Sequence, residues 1–330
     1  MKSEGMTSIV AERAQRRTEN QRNVMSFLQA YGLWVVIILL LVAAAVITPG
    51  YLKPSKLMLL LRQAAPLGIV ALGQLFVILI SGIDLSVGQV MSMTSVIASG
   101  IIMGEQNRIL PAVAVVVGLA AASGFMNGII IAKRRVEPFV MTLAMMVIIQ
   151  GFHWNYSKGA NMAYVPPGFR QLGLGYIGPV PTPVIIWAFL SVVAAVVLYR
   201  TPFGRRIYAT GGNRVAARMS GVSVDLVTVI PYVLCALSGV LAGLISLGYV
   251  SVGDSRTGMG YELGSIAAVV IGGASLAGGR GKISGNIAGV LILTLINSLL
   301  NAFGALWFVI QIVRGAIIIA AVAWYVRSRV

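Results

Sequence analysis

The chain has 330 residues, 58% of them hydrophobic and 10% charged, with a mean hydropathy of +0.91. A soluble domain carries about 25% charged residues, so nine acids exclude an ordinary water-facing fold, and with it the disordered, collagen-like and disulfide-rich classes. A single cysteine, Cys235, and a single histidine, His153, leave too few ligands or bases for a metal centre or a Ser/His hydrolase. No cofactor is expected, and what remains is an all-α membrane protein that crosses the bilayer several times.

The net charge of +16 has two readings, a nucleic-acid surface or a topology signal. No aromatic or RNA-reading motif accompanies the charge, so no nucleic-acid partner is expected. The positions of the basic residues decide the rest. The polar start, 1–30, lacks a signal-peptide core and reads as a tail. Ten apolar runs follow, at about 31–48, 64–81, 87–103, 109–131, 138–152, 183–199, 226–248, 264–278, 284–303 and 306–325, each near the length that crosses a hydrocarbon layer of about 30 Å. With the amino end inside, seventeen Lys and Arg fall on cytoplasmic segments and seven outside, and Arg314 lies within a span. That excess orients both termini inward and brings anionic lipid to the basic side. The expected organisation is a tail (1–30), a ten-span membrane domain (31–325) that includes the inside loop 200–225, and a tail (326–330).

Several stretches stand out in chain order. Between the second and third runs, Gly82 and Gly88 permit a tight reversal at the cytoplasmic side; Asp84 and Ser86 lie between them, with Asp84 either capping the next helix or serving transport. The amides Gln74, Asn127, Gln150, Asn297, Asn301 and Gln311 lie at membrane depth, either joining helices or lining a path for a polar, uncharged solute. Loop 153–182 is rich in Gly and Pro and reads as an irregular outer cover. Loop 200–225 is basic, with a short helix expected over Val215–Ser220 behind Gly211, Gly212 and Asn213. Arg214 and Arg218 share one face of that helix, and Gly221 closes it. Asp254, Arg256, Tyr261 and Glu262 precede an inward-running span and form a candidate outer docking surface. A shift of 170 residues pairs Ser81, Asp84 and Gly88 with Ser251, Asp254 and Gly258, and Asn127 with Asn297, which suggests an inverted repeat. Few acids lie in the spans, which supplies a proton or sodium relay poorly.

The run Ser81-Gly82-Ile83-Asp84-Leu85-Ser86-Val87-Gly88 resembles a signature of the permeases of bacterial ribose-type ABC importers. So do Gly260-Tyr261-Glu262-Leu263 with Ile266–Gly273, Ser275–Gly281, and Gly211-Gly212-Asn213 with Arg218, Ser220 and Gly221. The resemblance is collinear over about 55–325. It implies a transport subunit, not an enzyme, that carries a monosaccharide. It also implies a cytoplasmic ATP-binding subunit facing loop 200–225, a periplasmic or lipid-anchored sugar-binding protein, and a second permease copy or paralogue. No GxxxxGK[ST] phosphate loop is present, in keeping with ATP being handled elsewhere. A branched-chain amino-acid ABC permease and an ion-coupled secondary transporter are the competing readings.

Overall fold

The computed structural model describes residues 31–306, 308–313, 315–316 and 319. The two tails, Arg314 and much of the tenth apolar run lie outside the described residues. Helices dominate: α1 (Tyr31–Ile47), α2 (Pro54–Leu79), α3 (Val87–Ile102), α4 (Ile109–Arg134), α5 (Pro138–Ser157), α6 (Pro167–Leu174), α7 (Thr182–Arg200), α8 (Pro202–Gly212), α9 (Arg214–Met219), α10 (Val224–Val250), α11 (Tyr261–Ile271) and α12 (Ile283–Ala302). Among the described residues, five helices are long and apolar enough to cross a membrane: α2, α4 with the turn before it, α7, α10 and α12.

α10 sits at the centre, packed against α4, α2 and α3. Glycine sets these distances. A Cβ on Gly124 or Gly128 of α4 would lie 2.6 Å from the Tyr232 carbonyl oxygen or the Val229 Cα of α10. On the other side of α10, a Cβ on Gly243 would lie 2.7 Å from the Met91 carbonyl of α3. These backbones touch where any larger residue would wedge them apart.

Several expected boundaries move. The second span starts at Pro54, ten residues earlier than its hydropathy suggests, because Lys56 and Arg62 sit within the helix and Pro66 is accommodated inside it. The eighth is shorter than its apolar run. α11 has 11 residues, about 16 Å at 1.5 Å per residue, and ends where Gly273 takes a φ of 84°. Loop 153–182 is less irregular than expected, holding α6 and a two-residue antiparallel pair, β1 (Tyr176–Ile177) with β2 (Val180–Pro181). Loop 200–225 contains two helices, not one. Gly211 and Gly212 close α8, and Asn213 starts α9 by accepting from the Val215 and Ala216 N–H groups at 3.0 Å.

Candidate functional site: two chain reversals and the junctions around them

At one end of the bundle, α8 and α9 are woven into the chain between α2 and α3 and the turn between α11 and α12. The Gly279 N–H donates to the Leu79 carbonyl at 2.9 Å, and Ser81 Oγ donates to the Ala277 carbonyl at 2.7 Å. Arg214 Nη2 donates to the Ile80 carbonyl at 3.1 Å. A Cβ on Gly211 would overlap the Leu79 carbonyl, and one on Gly279 would lie 2.9 Å from Gly212 Cα. Tyr208 donates to the Gly281 carbonyl at 2.8 Å. Burial, with Tyr199 beside it, pushes the Tyr208 phenol up to about 12, so it remains a donor through the neutral range. The basic loop 200–225, the chain at 79–81 and the turn at 277–281 are therefore one bonded unit. Arg218 does not share the role of Arg214: it bonds Asp225 of its own chain at 2.7 Å, both side chains about half exposed. Gly221 takes a φ of 79° with open space around it.

From Ser81 (φ 62°) the chain turns back into the bundle. Residues 82–84 are extended and almost wholly buried, and α3 begins only at Val87. Non-helical backbone at this depth needs its own partners. Turned so that its nitrogen faces the Asp84 carbonyl, the Gln74 amide pairs both main-chain groups of Asp84 at 3.1 Å. Gln74 is five residues from the end of α2, placing Asp84 about 8 Å inward. Asp84 Oδ1 accepts from the Ser86 N–H at 2.9 Å and from the Ser86 hydroxyl at 2.6 Å, and Asn127 Nδ2 of α4 donates to Ser86 Oγ at 3.1 Å. Asp84 does not cap α3: Ser86 is the N-cap residue, without a side-chain cap bond, and the Asp84 carboxylate closes a turn onto Ser86 just before the helix. Asp84 Oδ2, Asn127 Oδ1 and the Tyr232 hydroxyl are buried without a hydrogen-bond partner among the described residues. Gln74 and Asn127, candidate pathway amides, thus hold the reversal.

The second reversal follows α10. Ser251 (φ 72°) turns the chain, and 252–260 runs back along α3. The Asp254 N–H donates to Ser95 Oγ at 3.2 Å, and the Gly258 N–H donates to Ser92 Oγ at 2.9 Å. At its inner end Gly258 meets Gly88: a Cβ on Gly88 would lie 2.7 Å from the Gly258 carbonyl, and one on Gly258 would overlap the Gly88 carbonyl. A Cβ on Gly88 would also overlap the Glu262 carboxylate, whose oxygens accept from the Gly260 N–H at 3.1 Å. The structure therefore divides the four candidate docking residues. Glu262 packs inside against α3. Arg256 is exposed, while Asp254 and Tyr261 line a cavity of about 300 Å³.

A second cavity, of about 170 Å³, is lined by Gln63, Tyr261, Thr294, Asn297 and Asn301, so this pair of pathway amides does face open space. Gln150 on α5 and Gln311 near the end of the described chain are half-buried and away from both cavities. Sequence reading missed Gln63 and Arg62. Arg62 is one of the seven outside charges of the sequence reading, yet it lies buried within the helix that runs on from Leu59-Leu60-Leu61.

The described residues form a helical bundle with five helices long and apolar enough to cross a membrane, joined by close glycine contacts and two buried main-chain breaks. The chain belongs to the family described as branched-chain amino acid transport system / permease component, whose model matches residues 57–322. Among its relatives is the ribose import permease protein of Bacillus subtilis (strain 168), 38% identical over 313 residues that cover 93% of this chain and 96% of that one. The galactose/methyl galactoside import permease protein of Escherichia coli (strain K12) is 32% identical over 322 residues, 92% and 96% of the two chains. The L-arabinose ABC transporter permease protein of Azospirillum brasilense is 32% identical over 301 residues, 91% and 88%. No solved structure matches the chain.

Proposed function

We propose that this chain is the membrane permease subunit of an ABC importer for a monosaccharide. The observation that carries the reading is the end-to-end similarity to relatives named for ribose, galactose and arabinose import. The geometry supports it: the polar groups facing open space are amides, hydroxyls and a few charges, as a neutral, hydroxyl-rich cargo requires.

The α8–α9 end is the cytoplasmic end, with both termini on that side and ten spans between them, as the basic-residue count supports. A separate ATP-binding subunit docks there and moves the unit joining α8, α9, Leu79–Ser81 and Ala277–Gly281, held by one main-chain bond and by side-chain bonds from Ser81, Tyr208 and Arg214 to main-chain carbonyls. The opposite end, at Arg256, receives a sugar-binding protein, and two permease subunits form the pathway. The 170-residue correspondence reads as an inverted repeat: it maps α2 to 224–249 against the observed Val224–Val250.

Reconstitution in lipid vesicles with the ATP-binding subunit and the binding protein tests the reading. ATP-dependent uptake of labelled D-ribose, D-galactose or L-arabinose is expected, with leucine excluded; uptake that survives omission of the ATP-binding subunit overturns it. Arg218→Glu is expected to insert normally and to lower sugar-stimulated ATP hydrolysis. Cysteines at Ser3 and Ser328 should be shielded from an impermeant thiol reagent in intact cells, and one at the exposed Lys158, next to the buried Ser157, should label.

A further inference from the structure

The cavity of about 300 Å³ lies between the outer turns of α2, the end of α10 and the second reversal. Its wall contains Arg62, whose side chain is 9% exposed. The guanidinium lies 4.3 Å over the Tyr176 ring, and Nη2 makes a long contact of 3.4 Å to the Leu174 carbonyl. Nε is buried without a hydrogen-bond partner. The Nη2 contact is long and Arg62 lines the cavity, so the terminal guanidinium donors remain for an acceptor that enters. Asp254 lines the same cavity, and the two charges do not approach within ion-pair distance of each other. Asp254 Oδ1 accepts from the Arg256 N–H at 2.9 Å, and Thr257 Oγ1 donates to the Asp254 carbonyl at 2.7 Å, which fixes the carboxylate in the wall. Tyr249 and Tyr261 add ring faces, and Gln63 adds an amide.

We infer that this cavity is a subsite for a neutral monosaccharide, held by hydroxyl hydrogen bonds to Arg62 and Asp254 with its C–H face on the tyrosine rings. The inference rests on the monosaccharide reading above and adds where the cargo stops. A guanidinium supplies donors only and a carboxylate acceptors only, and hydroxyls on adjacent carbons satisfy both. A zwitterionic amino acid also matches an Arg–Asp pair, so the neutral class comes from the monosaccharide reading and not from the two charges. Preferred uptake of labelled L-leucine over the sugars overturns the subsite. The volume sits at the small end of ligand pockets, about 300–1,000 Å³, which suits a single ring. Gln63 and Tyr261 also line the second cavity, so the sugar passes from the first to Asn297 and Asn301 across a shared wall.

The test uses the full importer in lipid vesicles with labelled D-ribose, D-galactose, L-arabinose, D-galacturonate and L-leucine, measuring solute carried per ATP hydrolysed. The variants are Asp254→Asn, which keeps the size and one acceptor, Arg62→Lys, and Tyr249→Leu in case Arg62→Lys fails to fold. Sugar carried per ATP should fall about ten-fold in Asp254→Asn, the scale of one charge-assisted hydrogen bond. The variant should also lose discrimination between D-ribose and 2-deoxy-D-ribose, which a purely structural role would leave intact. Wild-type uptake that none of the three variants alters in yield or preference overturns the subsite while leaving the permease reading standing. Preferred uptake of D-galacturonate overturns the neutral class. Failure of the wild type to carry any of these sugars removes the monosaccharide reading itself and the subsite with it.

Discussion

The two chain reversals, 80–86 and 251–260, begin alike and end in different roles. Each starts at a serine in the left-handed region, Ser81 at φ 62° and Ser251 at φ 72°. Each then places an aspartate three residues later that accepts from the main-chain N–H two residues on, Ser86 for Asp84 and Arg256 for Asp254. Each reaches a glycine, and Gly88 and Gly258 touch. Yet Asp84 is fully buried in a lattice of Gln74, Ser86 and Asn127, whereas Asp254 is half-buried on a cavity wall. The same local turn is a fixed pin where its surroundings close over it and a chemical surface where they open.

The sharpest way to break that comparison is at the point the two share. Gly88→Leu forces a side chain against the Gly258 carbonyl and Glu262, where the obstacle is backbone as well as side chain. A loss of about 3 kcal/mol or more is expected, seen as failure to extract a monodisperse protein in detergent. Gly212→Ala, with nothing within 4 Å, is the matched control and should behave as the parent.

Next in size is the contrast between the aspartates. Asp84→Ala strands the Ser86 N–H and hydroxyl in the interior and should cost about 1–3 kcal/mol. Asp254→Ala, whose N–H partner at Arg256 can turn to water, should cost less than about 1 kcal/mol in the same thermal unfolding measurement. Equal losses would mean that the two reversals are equivalent after all.

The smallest effect separates the serines. Glycine relieves a left-handed backbone that costs about 1–2 kcal/mol for an L-residue, so Ser251→Gly should raise the melting temperature by a few degrees. Ser81→Gly gains the same relief but loses the 2.7 Å bond to the Ala277 carbonyl, worth about 1 kcal/mol. Its melting temperature should stay near that of the parent, and its sugar-stimulated ATPase activity should fall, because that bond belongs to the coupling unit.

Nine of the ten apolar runs correspond to described helices because hydropathy reports burial in lipid or protein directly. The family was legible too, through the motifs at 81–88, 211–221 and 260–281. Hydropathy could not reveal that two segments between apolar runs fold back into the bundle. Residues 80–86 and 251–260 look like loops at opposite faces, and only tertiary packing brings Gly88 to Gly258. Gln74 and Asn127 read as pathway amides for the same reason: an amide that satisfies main chain and one that faces cargo have the same sequence signature. Arg62 was obscured by the opposite bias, since a charge near the end of a span counts as solvated until the chain folding over it, here Leu174 and Tyr176, is seen.

The breaks have an electrostatic consequence. α3 and α11 are part-length helices that both start beside the Gly88–Gly258 contact, so two macrodipoles direct their positive ends, each equivalent to about half an elementary charge, into the middle of the bundle. Left bare, such a pair would draw inorganic anions from solution. Asp84, just before the first turn of α3, and Glu262, in the first turn of α11, face this field with the protein's own carboxylates. The positive ends of both helices thereby meet carboxyl groups of the chain itself at the centre of the bundle.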